Sequence, residues 1–329
     1  MLKMISAMIL LVAIVFFSSG SISGCGFAQL ETPETTTAIQ ETIIDDHIVP
    51  LAQHSPTFII PIPDAPGLLK ESNDRAFIDY SNKHDGYVMV GFSEDTDRML
   101  NVMITAPGGR EYIYELSPGI NEVFPLTEGD GLYSIGVFEH LTDTLFEQVL
   151  LVSTVVTLSE EFVPFVHPNQ YVEFCENSPV TIKATELFLS SNNYFEAVDA
   201  IFSFVVNNIS YDFEFAEVVE FGHTPDLISV LERGSGICFD IAALTTAMLR
   251  SQGIPSKLVF GNCDVPELGY TYHAWVTVYS EEDGMVGDHT FFSGGKWNIL
   301  DPTLATRLGS IESASFVGDG SIYYAMFYY

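Results

Sequence analysis

Cys238, His273 and Asp301 are the residues whose types and order suit covalent chemistry. A thiolate is a nucleophile, and an imidazole takes and returns a proton near neutral pH. A carboxylate beside that imidazole fixes its tautomer and stabilises its cation. Together they make an acyl-transfer set: sulfur attacks a carbonyl, the ring protonates the leaving group, and a thioester remains. None of the three is diagnostic alone. A free cysteine is most often a buried, inert side chain, and an aspartate ahead of proline is common in turns.

The elements around them must bring the three together. Gly234-Ser235-Gly236-Ile237 reads as a turn into a helix. Ile241, Leu244, Thr245, Met248 and Leu249 then recur as one face of a helix about three turns long, which Gly253 and Pro255 end. Cys238 therefore falls at a helix N-terminus. There the partial positive charge favours a thiolate, and free backbone N–H groups can receive an oxyanion. Residues 272–279 read as a strand with His273, Trp275, Thr277 and Tyr279 on one face and Ala274, Val276 and Val278 on the other. Residues 297–301 read as a strand that Pro302 stops. Upstream, Ser178-Pro179 opens a helix to about Leu189. A second helix, 194–207, carries a core stripe of Val198, Ile201, Phe204 and Val205. A short helix is expected at 225–231 with Thr224 as its cap. The acidic segment 281–296 is expected either to cover the site or simply to loop.

Three blocks, Gly236-Ile237-Cys238-Phe239-Asp240, His273-Ala274-Trp275 and Leu300-Asp301-Pro302-Thr303, resemble in order the signature blocks of the transglutaminase-like superfamily. Arg250-Ser251-Gln252-Gly253-Ile254-Pro255 resembles its usual helix ending. Asn208-Ile209-Ser210-Tyr211-Asp212 is similar to a lead-in of bacterial members. The resemblance covers roughly residues 185–306, and three blocks in register are far more specific than one. It implies a papain-like α+β core with the nucleophile helix packed on an antiparallel sheet. It also implies Cys238 as nucleophile, His273 as base and acid, and Asp301 as orienter, with Tyr211, Asp212, Asp240 and Trp275 shaping the site. The expected activity is cysteine-dependent acyl transfer on amide bonds of proteins or peptides. The alternatives are a cell-wall or protein amidase or peptidase with water as acceptor, and a non-catalytic cell-surface binding module.

The remainder of the chain suggests where such a domain works. Lys3, an uncharged apolar run over 4–17 and small residues over 18–24 have the layout of a secretory signal, and the run is short for a membrane span. Ile22-Ser23-Gly24-Cys25 resembles a bacterial lipobox. That resemblance implies a lipidated Cys25, held by several acyl chains; the alternatives are an ordinary cleavage site or an uncleaved anchor. Residues 25–54, acidic and without Lys or Arg from 26 onward, read as a flexible tether. Over 55–158, runs at 57–62, 76–80, 87–92, 100–105, 111–116, 122–126, 132–138 and 147–157 read as strands of an antiparallel β-sandwich-like domain. A connection follows at 159–177, then the α+β domain at 178–329. The aromatic stretch 323–329 is expected to dock on the core. Cys175 and Cys263 either form a disulfide, which an extracytoplasmic site permits, or remain thiols.

Composition narrows the partners. Hydrophobic residues make up 47% of the chain, which excludes a wholly disordered protein. Forty-four acidic residues against 12 basic ones give a net charge of −32, which repels phosphate backbones and excludes nucleic acid as a natural partner. No EF-hand loop is present, so no metal site and no cofactor are expected. The expected partners are a protein or peptide substrate, cell-wall material, and a membrane reached through the lipid. The expected location is extracytoplasmic, on the bacterial cell membrane.

Overall fold

The computed structural model describes residues 58–142, 145–220, 222–265, 269–288, 290–317 and 320–329. The expected signal segment, lipidated Cys25 and tether lie outside the described residues. The described chain forms two compact units, Asp64–Ser159 and Glu160–Tyr329, with residues 58–63 belonging to the second.

The first unit holds β1 (Lys70–Ser72), β2 (Ala76–Asp79), β3 (Tyr87–Phe92), β4 (Leu100–Thr105), β5 (Glu111–Glu115), β6 (Asn121–Pro125), β7 (Gly131–Thr142) and β8 (Leu145–Val156). They form two antiparallel sheets, ordered β1-β2-β3-β6 and β5-β4-β7-β8. Side-chain alternation explains these strands. Leu100, Val102 and Ile104 of β4 are buried and their neighbours half-buried, while Tyr112 and Tyr114 of β5 alternate with exposed residues. One expected strand is absent and one strand was not foreseen. The described part of 57–62 is not a strand, and β1 is an exposed Lys-Glu-Ser edge with no apolar alternation to reveal it.

The second unit opens with α1 (Pro179–Leu189), capped by Ser178, and α2 (Tyr194–Asn208), capped by Asn193. The buried stripe of α2 includes Phe202, whereas Phe204 is only half-buried. Next come β9 (Ser210–Tyr211), α3 (Phe213–Val218) and α4 (Leu227–Arg233), whose cap is Asp226 rather than Thr224. β10 (Ser235–Gly236) leads into α5 (Cys238–Arg250). The chain continues through β11 (Ser256–Val265), β12 (Gly269–Ser280), β13 (Gly284–Val286), β14 (Thr290–Phe292), β15 (Lys296–Leu300), α6 (Pro302–Leu308), α7 (Ser310–Val317) and β16 (Tyr323–Tyr328). The central antiparallel sheet is ordered β15-β12-β11-β16, so the aromatic C-terminal stretch does dock, as an added strand.

α5 is the hub of this unit. A single apolar face was expected, yet every residue from Asp240 to Arg250 is buried, because α5 packs against β11, β12, α1, α2, α4 and α6. Even Arg250 is fully enclosed. Its guanidinium donates to the main-chain oxygens of Ser256 at 2.8 Å, His167 at 2.9 Å and Tyr329 at 2.5 Å. Burial lowers its pKa to about 9. Three such acceptors offset the desolvation that an enclosed cation would otherwise suffer. Within segment 281–296, β13 and β14 pair antiparallel, and β13 packs on α2: a methyl added at Gly284 would lie 2.3 Å from the Phe195 ring.

Candidate active site

Cys238 is the first residue of α5 and a half-buried free thiol. The turn before it is pinned from two sides. β10 pairs in parallel with β9, Gly236 standing opposite Tyr211. Gly236 is required by close approach, since an added methyl would lie 2.6 Å from the Asp240 side chain. Asp240, fully buried, accepts from the Ile237 backbone N–H at 3.0 Å and faces His223 Nε2 at 2.7 Å and an Arg233 nitrogen at 3.5 Å. Its carboxylate thus caps the helix that presents Cys238.

His273 is the fifth residue of β12, deeper in its strand than 272–279 implied, and only 7% exposed. Its Nε2 lies 2.8 Å from Asp301 Oδ2. Asp301 follows β15 and caps α6, where its Oδ1 accepts from the Leu304 N–H at 2.8 Å. Pro302, read from sequence as a stop, is therefore also the first residue of a helix, a position that needs no N–H donor. A third donor reaches the same carboxylate: the Tyr323 hydroxyl donates to Oδ2 at 2.8 Å. Trp275 stacks on the imidazole at 6.1 Å between centroids and packs against Tyr323 at 4.9 Å.

The electrostatics follow from burial and pairing. Burial is the largest influence on His273 and pulls its pKa down. The charge and hydrogen bond of Asp301, followed by a hydrogen bond and charge interaction with Cys238, outweigh it and hold the ring well above its ordinary value. With Nε2 committed to Asp301, Nδ1 is the nitrogen available to the thiol. Burial likewise pushes Asp301 up most strongly, but the His273 charge and the hydrogen bonds from His273, Leu304 and Tyr323 leave it below the ordinary carboxylate value. Burial first, and then Asp301, raise the Tyr323 hydroxyl, so it remains a donor. A thiol, an imidazole and a carboxylate are thus linked, a set able to serve as nucleophile, proton carrier and orienter.

Of the residues expected to shape the site, Tyr211, Asp240 and Trp275 stand in it, and Asp212 caps α3 by accepting from the Phe215 N–H. Tyr323 and His223 were not foreseen as site residues. Tyr323 showed only as part of an aromatic tail, and nothing in its spacing to Asp301 points to a contact. Cys263 is a buried free thiol whose pKa burial raises, so it forms no disulfide with Cys175. Among the described residues no cluster of His, Cys, Asp and Glu is arranged to hold a metal ion.

Residues 183–302 match the family model described as the transglutaminase-like superfamily. No curated protein matches the chain. Among solved structures, a candidate cysteine protease from Cytophaga hutchinsonii is 16% identical, with a TM-score of 0.36 and coverage of 66% of this chain and 71% of its own. Red sea bream transglutaminase is 13% identical, with a TM-score of 0.27, over 66% of this chain and 48% of its own. A candidate protease from Parabacteroides distasonis is 16% identical, with a TM-score of 0.27, over 69% of this chain and 65% of its own. The chain thus spans about half of the sea bream enzyme and just under two thirds of the Parabacteroides protein.

Proposed function

We propose, from the premise that residues 183–302 are a transglutaminase-like domain, that this protein is a cysteine-dependent acyl-transfer enzyme acting on amide bonds of proteins or peptides. The observation that carries the reading is the buried His273 ring, its Nε2 2.8 Å from Asp301, with Cys238 among the groups that raise its pKa. The Cys238 sulfur attacks the amide carbonyl carbon, and the oxyanion forms against the N-terminus of α5. His273 gives its proton to the leaving nitrogen, the C–N bond breaks, and a thioester remains on Cys238. An incoming amine or water gives a proton to His273 as it attacks, and the sulfur leaves. An amine yields a cross-link, and water yields hydrolysis or deamidation. An amidase or peptidase would use the same residues with water as acceptor.

In this reading residues 1–24 are a removed signal, Cys25 carries the lipid, and the enzyme works outside the bacterial cytoplasm on proteins, peptides or wall material. The two sheets of the first unit are read as a sandwich that holds or binds substrate. The test is product analysis of the full-length protein with a Gln-containing peptide, with and without a primary amine, beside Cys238→Ala. An amine adduct that requires Cys238 supports transfer, and a deamidated or cleaved product alone supports hydrolysis. Failure of both the peptide and wall fragments to react would overturn both readings.

A further inference from the structure

A cation with no ion pair among the described residues sits on an aromatic shelf next to the turn that leads into α5. Tyr211 pairs with Gly236, two residues before Cys238. The Arg307 guanidinium, in the last turn of α6, lies 5.2 Å from the centre of the Tyr211 ring and 5.3 Å from that of Phe213. The two rings pack edge to face at 4.9 Å. Phe213 is 60% exposed and Arg307 is exposed, so the shelf they form is open to solvent. The Tyr211 hydroxyl is raised first by burial, then by charge on Cys238, and is drawn down by Arg307.

Arg307 is unusual among the described arginines of a chain of net charge −32. Arg75, Arg98, Arg110, Lys183 and Arg233 each stand against a carboxylate, and Arg250 is enclosed by main-chain oxygens. Arg307 makes no ion pair among the described residues. The buried acid near Cys238, Asp240, is already engaged by Ile237, His223 and Arg233. A guanidinium fork matches a carboxylate in geometry as well as in charge. An acidic protein repels anions at long range, so an anionic substrate would need such a local cation to settle.

We propose that Arg307, seated on Tyr211 and Phe213, is a subsite for a carboxylate of the acyl donor, an acidic side chain or terminal carboxylate flanking the amide that Cys238 attacks. This substrate class rests on the acyl-transfer reading, but the subsite can be tested without a substrate. Iodoacetate and iodoacetamide alkylate the same sulfur, with iodide leaving in each case, and differ in the carboxylate. The ratio of their rates at Cys238 is measured by peptide mapping of the full-length protein. Arg307→Gln is expected to lower the iodoacetate-to-iodoacetamide ratio by about tenfold, and Arg307→Lys, which keeps the charge but not the fork, to lower it by less. A ratio unchanged in Arg307→Gln, or lost equally in Arg307→Lys with the fold intact by circular dichroism, would overturn the subsite. If His273→Gln leaves the iodoacetamide rate unaltered, the acyl-transfer reading fails separately, whatever the ratio shows.

Discussion

At the scale of single residues, the His273–Asp301 pair makes stability depend on pH with a definite sign. The ring holds its proton more tightly in the folded chain than in the unfolded one. Its contribution is therefore complete below about pH 6.5 and lost as pH rises through the raised folded value. Asp301 behaves oppositely: its contribution is complete above about pH 4 and lost as pH falls through the depressed value. Both contributions are whole between about pH 4 and 6.5. Thermal melts of wild type and Asp301→Asn should differ most in that window, and the gap should narrow on the alkaline side. A gap constant from acid to alkali would mean that the pair is not charged as described. Cys238, His273 and Asp301 were singled out in the sequence because each falls in a short block with its own local context. Tyr323 was not, because its contact with Asp301 depends on the register of β16 against β11.

At the scale of elements, the close fit of β11 to its neighbours positions the site. Gly261 lies where β11 shifts register against β16. A methyl there would stand 2.2 Å from the Tyr324 main-chain oxygen and 2.8 Å from the Trp275 ring. Glycine within a strand often marks such an approach. Gly261→Ala should push β16 and Trp275 outward, loosening Tyr323 from Asp301 and Trp275 from His273. The expected cost is about 1–3 kcal/mol of stability, read by urea denaturation, with a fall in kcat larger than the change in KM. Wild-type stability and kinetics in this variant would contradict the packing described. Helix phases were legible only in part. Periodicity found α1, α2 and α5, but it could not show that α5 is enclosed on all sides, since that depends on partners distant in sequence. α6 was missed because Pro302 was weighed as a stop and not also as a first helical residue.

At the scale of the molecule, the acidic chain of net charge −32 holds the site in its second unit, and the lipid anchor proposed at Cys25 would tether it. Fold class was legible where apolar alternation was strong, as in β4 and β5, and illegible at β1, whose residues are all exposed. The proposal commits the Cys25 sulfur to lipidation. Intact mass of the mature protein purified from a bacterial membrane should show a chain beginning at Cys25 with added acyl mass. An unmodified Cys25, or a chain that retains residues 1–24, would remove the anchor while leaving the catalytic account untouched.

The most direct measurement of the central claim is the pH profile of Cys238 alkylation by iodoacetamide, in wild type and in His273→Gln. A sulfur served by a charged imidazole should react rapidly at neutral pH and below, and lose that advantage in the variant, whose rate should rise only on the alkaline side as for an unassisted thiol. Superimposable profiles would show that the ring does not serve the sulfur, and acyl transfer through Cys238 would be contradicted.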